Sequence, residues 1–433
     1  MPQSTDPLEV AISVVEMVRT GRFEQLEGRF APALRAVVSS ETVRVAWVAQ
    51  LHRTGDVRDI GRPIGEPTGT GLVRVTVPVT CEQGGLTVVM SIDDAGLLNG
   101  LRLAPASAAT WTPPGYATTA RFTEHDVTVG SGPLAVGGTV SLPRGRHERP
   151  AVVLLSGGGP FDRDATSGAN KPFKDLAWGL ASRGVAVLRF DKVTRTHPQV
   201  LAPGFTMTDE YRPAARAAVR LLRQQKTVDP ERVFVLGHSM GGKVAPRVAT
   251  GETSIAGLVV MAGDAQPMQR AAVRVVRYLA ALDPDPASAA AVETITRQAA
   301  LVDSADLTAS TPAAELPFGL PASYWLDQRA YDPVSTAAAL DLPLLVLQGG
   351  RDYQVTVEDD LSRWRAGLAH RGDVTIQVHE RDNHLFFPGT GASTPAEYEP
   401  PQHVDPDVVA AVAKWITAPR RSSGRWRPGR AER

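Results

Sequence analysis

Cysteine is almost missing from this chain. Cys81 is the only one in 433 residues, which excludes a disulfide framework, and no group of Cys and His has zinc-finger spacing. Net charge is missing too. Lys plus Arg and Asp plus Glu both number 46, so there is no electrostatic footprint for nucleic acid or an anionic membrane surface. No run approaches the ~18 apolar residues of a membrane span. The opening stretch MPQSTDPLEVAISVVEMVRTG carries acids and lacks the basic start and long apolar run of a secretory leader. These absences lead us to expect a soluble, cytoplasmic protein with neither nucleic acid nor membrane as partner. What is present, 43% hydrophobic and 21% charged residues, is ordinary for a globular chain. Its length exceeds the ~250–300 residues at which one core stops growing, so two domains are expected.

Residues 1–104 read as a small α+β domain. Segments 8–20 and 23–38 carry apolar residues at helical spacing with Gly21 between them, and a third helical run covers 41–53. The period then switches to two at Leu72, Val73, Val75, Val77 and Val79, and 86–92 follows the hairpin signal Gly84-Gly85. Helices followed by a meander imply a helix layer on an antiparallel sheet. Residues 105–120, rich in Ala, Pro and Thr, read as a linker.

Residues 121–418 change pattern. Strands 122–129 and 134–142 form a hairpin. Short apolar strands then follow at 151–155, 185–190, 232–236, 255–261, 344–348 and 374–379, alternating with helical stretches at 174–183, 208–225, 243–250, 357–370 and 405–416. That alternation implies a doubly wound, mostly parallel α/β sheet. Residues 262–340 are too many for one crossover. They contain helical runs at 269–283 and 287–304 and read as a cap insertion over one end of the sheet. The basic end, 419–433, reads as a solvated, disordered tail.

The strongest chemical signal is Gly237-His-Ser-Met-Gly241, a G-x-S-x-G after an apolar strand and before a helix. Glycines on both sides let strand and helix approach closely, and the turn exposes the Ser239 hydroxyl at a helix N-terminus. A serine needs a base and an orienting acid, in the order Ser, Asp, His. Asp352 follows the strand 344–348 through Gly349-Gly-Arg, at the carboxyl end where α/β sheets bind ligands. Asp359 and Asp360, on the next helix, read as solvated charges. Among the later histidines, His379 continues a strand, His370 ends a helix and His403 lies in a Pro-rich stretch, whereas His384 sits in the loop beyond the strand. His384 is the candidate base. Two amides should stabilise an oxyanion: Met240, next to the nucleophile, and Gly158, in the loop Ser156-Gly-Gly-Gly-Pro-Phe-Asp-Arg-Asp164. Arg163 in that loop, with Asp162 and Asp164, either binds substrate or pins the loop as a buried ion pair.

Together, Leu155-Ser-Gly-Gly-Gly-Pro-Phe-Asp-Arg-Asp, Asn170-Lys-Pro-Phe, Val187-Leu-Arg-Phe-Asp-Lys192, Gly237-His-Ser-Met-Gly, Gln348-Gly-Gly-Arg-Asp-Tyr-Gln-Val and Asn383-His-Leu-Phe resemble bacterial α/β-hydrolase carboxylesterases. The nearest branch is related to dienelactone and acyl-thioester hydrolases. Members of that branch often carry an N-terminal domain of the DUF3887 type, similar to small NTF2-like folds, and residues 8–103 resemble it. The resemblance implies a catalytic triad of Ser239, Asp352 and His384. It also exposes a departure: such loops usually begin His-Gly, whereas this one begins Ser156-Gly157.

The expected chemistry is attack by Ser239 on an ester carbonyl, with an acyl-enzyme then released by water, and it calls for no metal and no organic cofactor. Tyr324 and Trp325, in the insertion, either line the substrate pocket or anchor the insertion to the core. The partner is a small-molecule ester or thioester, and a homodimer is left open. Two other functions stay open: a thioesterase or non-hydrolytic acyl-chemistry enzyme of specialised metabolism, and a catalytically silent ligand-binding protein.

Overall fold

The computed structural model describes residues 5–35, 38–67, 71–105, 111–284 and 286–419. The tail from residue 420 and part of the linker, 106–110, lie outside them. Two compact units divide the chain, one comprising residues up to 111 with 399–401, the other 112–398 with the residues from 402. Among the described residues, no helix is long and apolar enough to cross a membrane.

In the first unit, helices Pro7–Arg19, Phe23–Glu27, Pro32–Arg35 and Ser40–Thr54 precede strands β1 (Val57–Ile60), β2 (Ile64–Pro67), β3 (Val73–Cys81), β4 (Gly84–Ile92) and β5 (Leu98–Pro105). The strands pair antiparallel in the order β1-β3-β4-β5, with β2 also on β3. Asp6 caps the first helix by accepting from the Leu8 amide. That helix buries Val10, Ala11, Val14, Val15 and Val18, a one-sided stripe, against Val75, Val77, Leu86, Val88 and Met90 of β3 and β4. Each such side chain contributes roughly 1.5–3 kcal/mol relative to exposure. The segment 23–38 is not one helix. Its first part stops at Glu27 and a second starts at Pro32, because proline lacks an amide donor and is accommodated at a helix start, not in its interior. Strands β1 and β2 carry too few apolar residues to have been anticipated.

The second unit holds strands β6 (Phe122–Val129), β7 (Val136–Pro143), β8 (Arg149–Leu155), β9 (Ala186–Phe190), β10 (Val228–His238), β11 (Leu258–Met261), β12 (Leu344–Gly349) and β13 (Val374–His379). They form one sheet in the order β13-β12-β11-β10-β8-β9-β7-β6. All neighbours run parallel except β7, which is antiparallel to both β6 and β9. Side-chain alternation feeds two cores. Val153, Leu155, Val233 and Val235 pack on one face with helices Met207–Arg223 and Met240–Ala249. Val152, Leu154, Phe234 and Leu236 pack on the other with helices Pro172–Ala181 and Pro406–Thr417. Burial on both faces explains why these strands are continuously apolar.

Between β11 and β12 the chain adds helices Met268–Leu282, Pro286–Asp303, Ala322–Arg329 and Pro333–Ala338. This insertion has its own small core of Val302, Leu307, Leu316, Ala322 and Trp325. It leaves from the carboxyl end of β11. The carboxyl ends of β8, β10, β12 and β13 lead into the loops that carry the candidate residues, so one sheet edge gathers them.

Candidate active site

Ser239 stands between β10 and helix Met240–Ala249 with φ 55° and ψ −125°. A non-glycine residue in that region stores strain and marks a turn the fold enforces. The flanking glycines are sterically obligatory. A Cβ on Gly237 would lie 2.1 Å from the Gly241 carbonyl oxygen, and one on Gly241 would lie 2.2 Å from that of Leu155. The Ser239 amide donates to the Met261 carbonyl at 2.9 Å, which ties the turn to β11. The hydroxyl therefore sits at the start of a ten-residue helix, where the unpaired amides favour negative charge.

Asp352 and His384 meet across two adjacent loops. His384 Nδ1 lies 2.7 Å from Asp352 Oδ2. The carboxylate is saturated: Oδ2 also accepts from Gln348 Nε2 at 3.2 Å, and Oδ1 accepts from the amides of Gln354 and Val355 at 2.8 and 2.9 Å. The glycine pair before it lets the loops close. A Cβ on Gly349 would lie 2.6 Å from the Asp382 and Asn383 carbonyl oxygens, and one on Gly350 would lie 2.6 Å from Glu380 Cα. Asn383 braces the histidine loop by accepting from the amides of Leu385 and Phe387, both at 3.1 Å. With Nδ1–H donated to the carboxylate, the imidazole keeps Nε2 as its basic nitrogen.

His238 links the His384 loop to the Ser239 turn. Its Nε2–H donates to the His384 carbonyl at 2.7 Å, and its ring lies 4.7 Å from the His384 ring. Burial lowers its pKa to about 3, with the neighbouring His384 adding to the effect. It is a neutral strut, not a second base. Sequence reasoning passed over it as the variable residue of the motif.

The glycine loop follows β8. A Cβ on Gly157 would lie 3.1 Å from Ser239 Cβ and 3.5 Å from Oγ, whereas one on Gly158 would meet the Met240 methyl at 3.1 Å. Both glycines thus flank the serine turn. Arg163 is fully engaged: Nη2 and Nε donate to Asp191 at 2.8 and 3.2 Å, and Nη1 donates to Gly138 O at 2.8 Å and Asp126 at 3.1 Å. Burial opposes its charge, but Asp191 and the other carboxylates outweigh that and raise its pKa. The loop-pinning ion pair is the arrangement present.

The insertion residues divide. Tyr324 is buried with its hydroxyl donating to Glu210 Oε2 at 2.6 Å, and it lies 3.2 Å from Met240 Sδ. Trp325 is fully buried in the insertion's own core and stacks with Phe318. It packs within that core and so anchors the insertion. Asp360 also departs from expectation. It is fully buried and accepts from the amides of Ala265, Gln266 and Thr356 and from Arg274. The sequence reading missed Lys192, Glu210 and Tyr211 as well, all buried near the glycine loop. Only Lys192 gave a signal, closing the motif that ends β9.

Comparison with known proteins adds to this geometry. Residues 152–414 match the alpha/beta hydrolase family. Esterase EstD of Thermotoga maritima is 36% identical over 336 residues, covering 77% of this chain and 77% of EstD. A solved esterase of Pyrococcus furiosus aligns at a TM-score of 0.42 with 19% identity, covering 64% of this chain and 90% of that one. The solved 2,6-dihydroxy-pseudo-oxynicotine hydrolase aligns at a TM-score of 0.38 with 18% identity. That match covers 60% of this chain and 62% of the hydrolase.

Proposed function

Because the chain belongs to the alpha/beta hydrolase family, we propose that it is a carboxylesterase-type serine hydrolase with Ser239 as nucleophile, His384 as base and Asp352 as orienting acid. The observation that carries this reading is the 2.7 Å bond from His384 Nδ1 to a carboxylate already held by three other donors, on a loop whose His384 carbonyl is tied to His238 beside the strained Ser239 turn. It fixes the tautomer and the ring, leaving Nε2 to take the serine proton. Ser239 Oγ attacks the ester carbonyl and His384 accepts the proton. The amides of Met240 and Gly158 stabilise the oxyanion, and the alcohol leaves with the proton from His384. Water, deprotonated by the same histidine, then releases the acid.

The substrate is a small-molecule ester, with EstD, named an esterase, favouring esters over thioesters. The first unit is read as a DUF3887-type, NTF2-like domain. Its helices followed by an antiparallel meander support that reading, and it supplies no triad member.

A serine-directed organophosphonate tests the proposal. It mimics the tetrahedral intermediate, so it should add to Ser239, as peptide mapping would show, and abolish turnover of a nitrophenyl ester. Ser239→Ala should lower kcat by about three to six orders of magnitude. A folded protein that takes up no adduct would sink the reading in favour of a silent binder. An adduct without ester turnover would move the substrate to thioesters or other acyl compounds.

A further inference from the structure

We infer that Lys192 and Tyr211 are positioning residues for the oxyanion: by holding the Gly157 carbonyl inside the protein they aim the Gly158 amide at the substrate. The inference rests on the serine-hydrolase reading above and adds to it how the second amide is oriented.

The Gly157 carbonyl has two donors. Lys192 Nζ donates to it at 2.9 Å and the Tyr211 hydroxyl at 2.8 Å, the latter also reaching Ser156 O at 3.0 Å. A trans peptide points its carbonyl and its N–H in opposite directions. A carbonyl fixed toward the buried Lys192 therefore turns the Gly158 N–H away from the interior, on the loop that flanks Ser239. The constraint matters because this peptide joins two glycines, whose backbones resist rotation least. A half-turn would put a carbonyl where the amide is needed and repel the developing oxyanion.

The two positioning groups are themselves over-determined. Lys192 donates to Gly157 O and to the Tyr211 hydroxyl at 2.9 Å, and forms an ion pair with Glu210 Oε1 at 2.9 Å. Glu210 also accepts from Thr194 Oγ1 at 2.8 Å and from the Tyr324 hydroxyl at 2.6 Å. Lys192, Tyr211, Glu210 and Tyr324 are all buried. Tyr324 in turn touches Met240 Sδ, and the Met240 methyl flanks Gly158. One buried cluster thus supports the loops of both oxyanion amides.

The test uses the full-length enzyme and the variants Tyr211→Phe and Lys192→Met. Tyr211→Phe keeps the ring beneath the lysine, 4.4 Å from Nζ, and removes only the hydroxyl. Three quantities are read: kcat and KM on a nitrophenyl ester, and the affinity for an aryl trifluoromethyl ketone, whose serine adduct places an oxyanion in the hole. The expected result is a kcat lower by about 10- to 100-fold with KM little changed. Ketone affinity should fall by a similar factor in Tyr211→Phe and further in Lys192→Met. A merely structural role would lower thermal stability and leave kcat per labelled Ser239 and ketone affinity at the wild-type level. That result in folded Tyr211→Phe overturns the inference, and this variant decides alone if Lys192→Met does not fold. The two failures separate: wild-type protein that takes no phosphonate on Ser239 overturns the hydrolase reading itself, whereas labelled protein with unaltered variants overturns only the positioning role.

Discussion

His384 with Asp352, and His403 with Asp175, are the same two residue types joined through the same ring nitrogen, Nδ1, at 2.7 and 3.1 Å. Both aspartates are fully buried at the side chain. The surroundings differ. Asp352 follows β12 in a loop at the carboxyl end of the sheet, and the ring of its histidine lies 4.7 Å from that of His238, the residue next to a strained serine. Asp175 lies in the first turn of helix Pro172–Ala181, and it also accepts from the Val404 amide at 3.1 Å. It clamps the segment that leads into the last helix, Pro406–Thr417. The comparison teaches that a histidine–carboxylate pair is not a catalytic signature in itself. What distinguishes the pairs is where they stand: the His384 carbonyl is tied to His238 beside the strained Ser239 turn, whereas His403 leads only into the last helix described.

The largest expected effect separates the two histidines. His384→Ala should resemble the serine variant, lowering kcat by about three to six orders of magnitude. His403→Ala should leave kcat within a small factor while lowering Tm. Comparable kinetic losses in both would break the distinction. The aspartates come next. Asp352→Asn should lower kcat by roughly 10⁴-fold by favouring the wrong imidazole tautomer. Asp175→Asn should instead destabilise the fold by about 1–3 kcal/mol, through weakened buried hydrogen bonds, with near-normal kcat for the folded fraction. Denaturant titration beside steady-state kinetics on both variants checks this.

Why one pair was legible and the other was not follows from where the information lies. Ser239, Asp352 and His384 each sit just beyond a strand with a glycine or loop signal beside them, so local rules place all three at one sheet edge. The His403–Asp175 clamp joins residues 228 positions apart, and no local pattern records it. Asp360 failed for the same reason: paired acids on a helix read as surface, yet its donors include Ala265 and Gln266, more than ninety positions earlier. Glu210 and Tyr211 lie on helix Met207–Arg223, where periodicity assigns a buried face but cannot reveal a buried lysine opposite. The broken helix at 28–31 was a different failure, since apolar spacing outweighed the proline in the reading.

A smaller contrast lies within the glycine loop. An alanine methyl at Gly157 would press on Ser239 Cβ at 3.1 Å, and the strained turn has little room to yield. At Gly158 the same methyl would meet only the end of the flexible Met240 side chain at 3.1 Å. Gly157→Ala should therefore lower kcat by about 10- to 100-fold, less than the ~10²–10³ of a removed oxyanion donor, and Gly158→Ala by clearly less. The reverse order, measured on one nitrophenyl ester, would mean that Gly158 and not Gly157 abuts Ser239.

The smallest effect concerns a third aspartate, on the histidine loop itself. Asp382 is fully buried, and neither of its carboxylate oxygens meets a hydrogen-bond donor. Asp352 has four donors, whereas Asp382 faces a second carboxylate, Asp405. Burial first, and then the nearby Asp405 carboxylate, raise its pKa to about 7. The folded state thus binds this proton more tightly than the unfolded chain, whose carboxyl titrates near ~3.9. The stability tied to it is whole below that value and is lost as pH rises through about 7. Asn at this position stays neutral at every pH and imitates the protonated form. Wild type and Asp382→Asn should therefore melt at similar temperatures below about pH 4, and the variant should melt progressively higher as pH rises, the gap being complete by about 7. Thermal melts across that window decide the matter, and parallel curves for the two proteins would show that Asp382 is ionised and solvated in the folded state. Because the residue lies two positions before His384, the same variant tests whether the loop tolerates a neutral group there: kcat at pH 8 should stay near the wild-type value, since Asp352, and not Asp382, orients the imidazole.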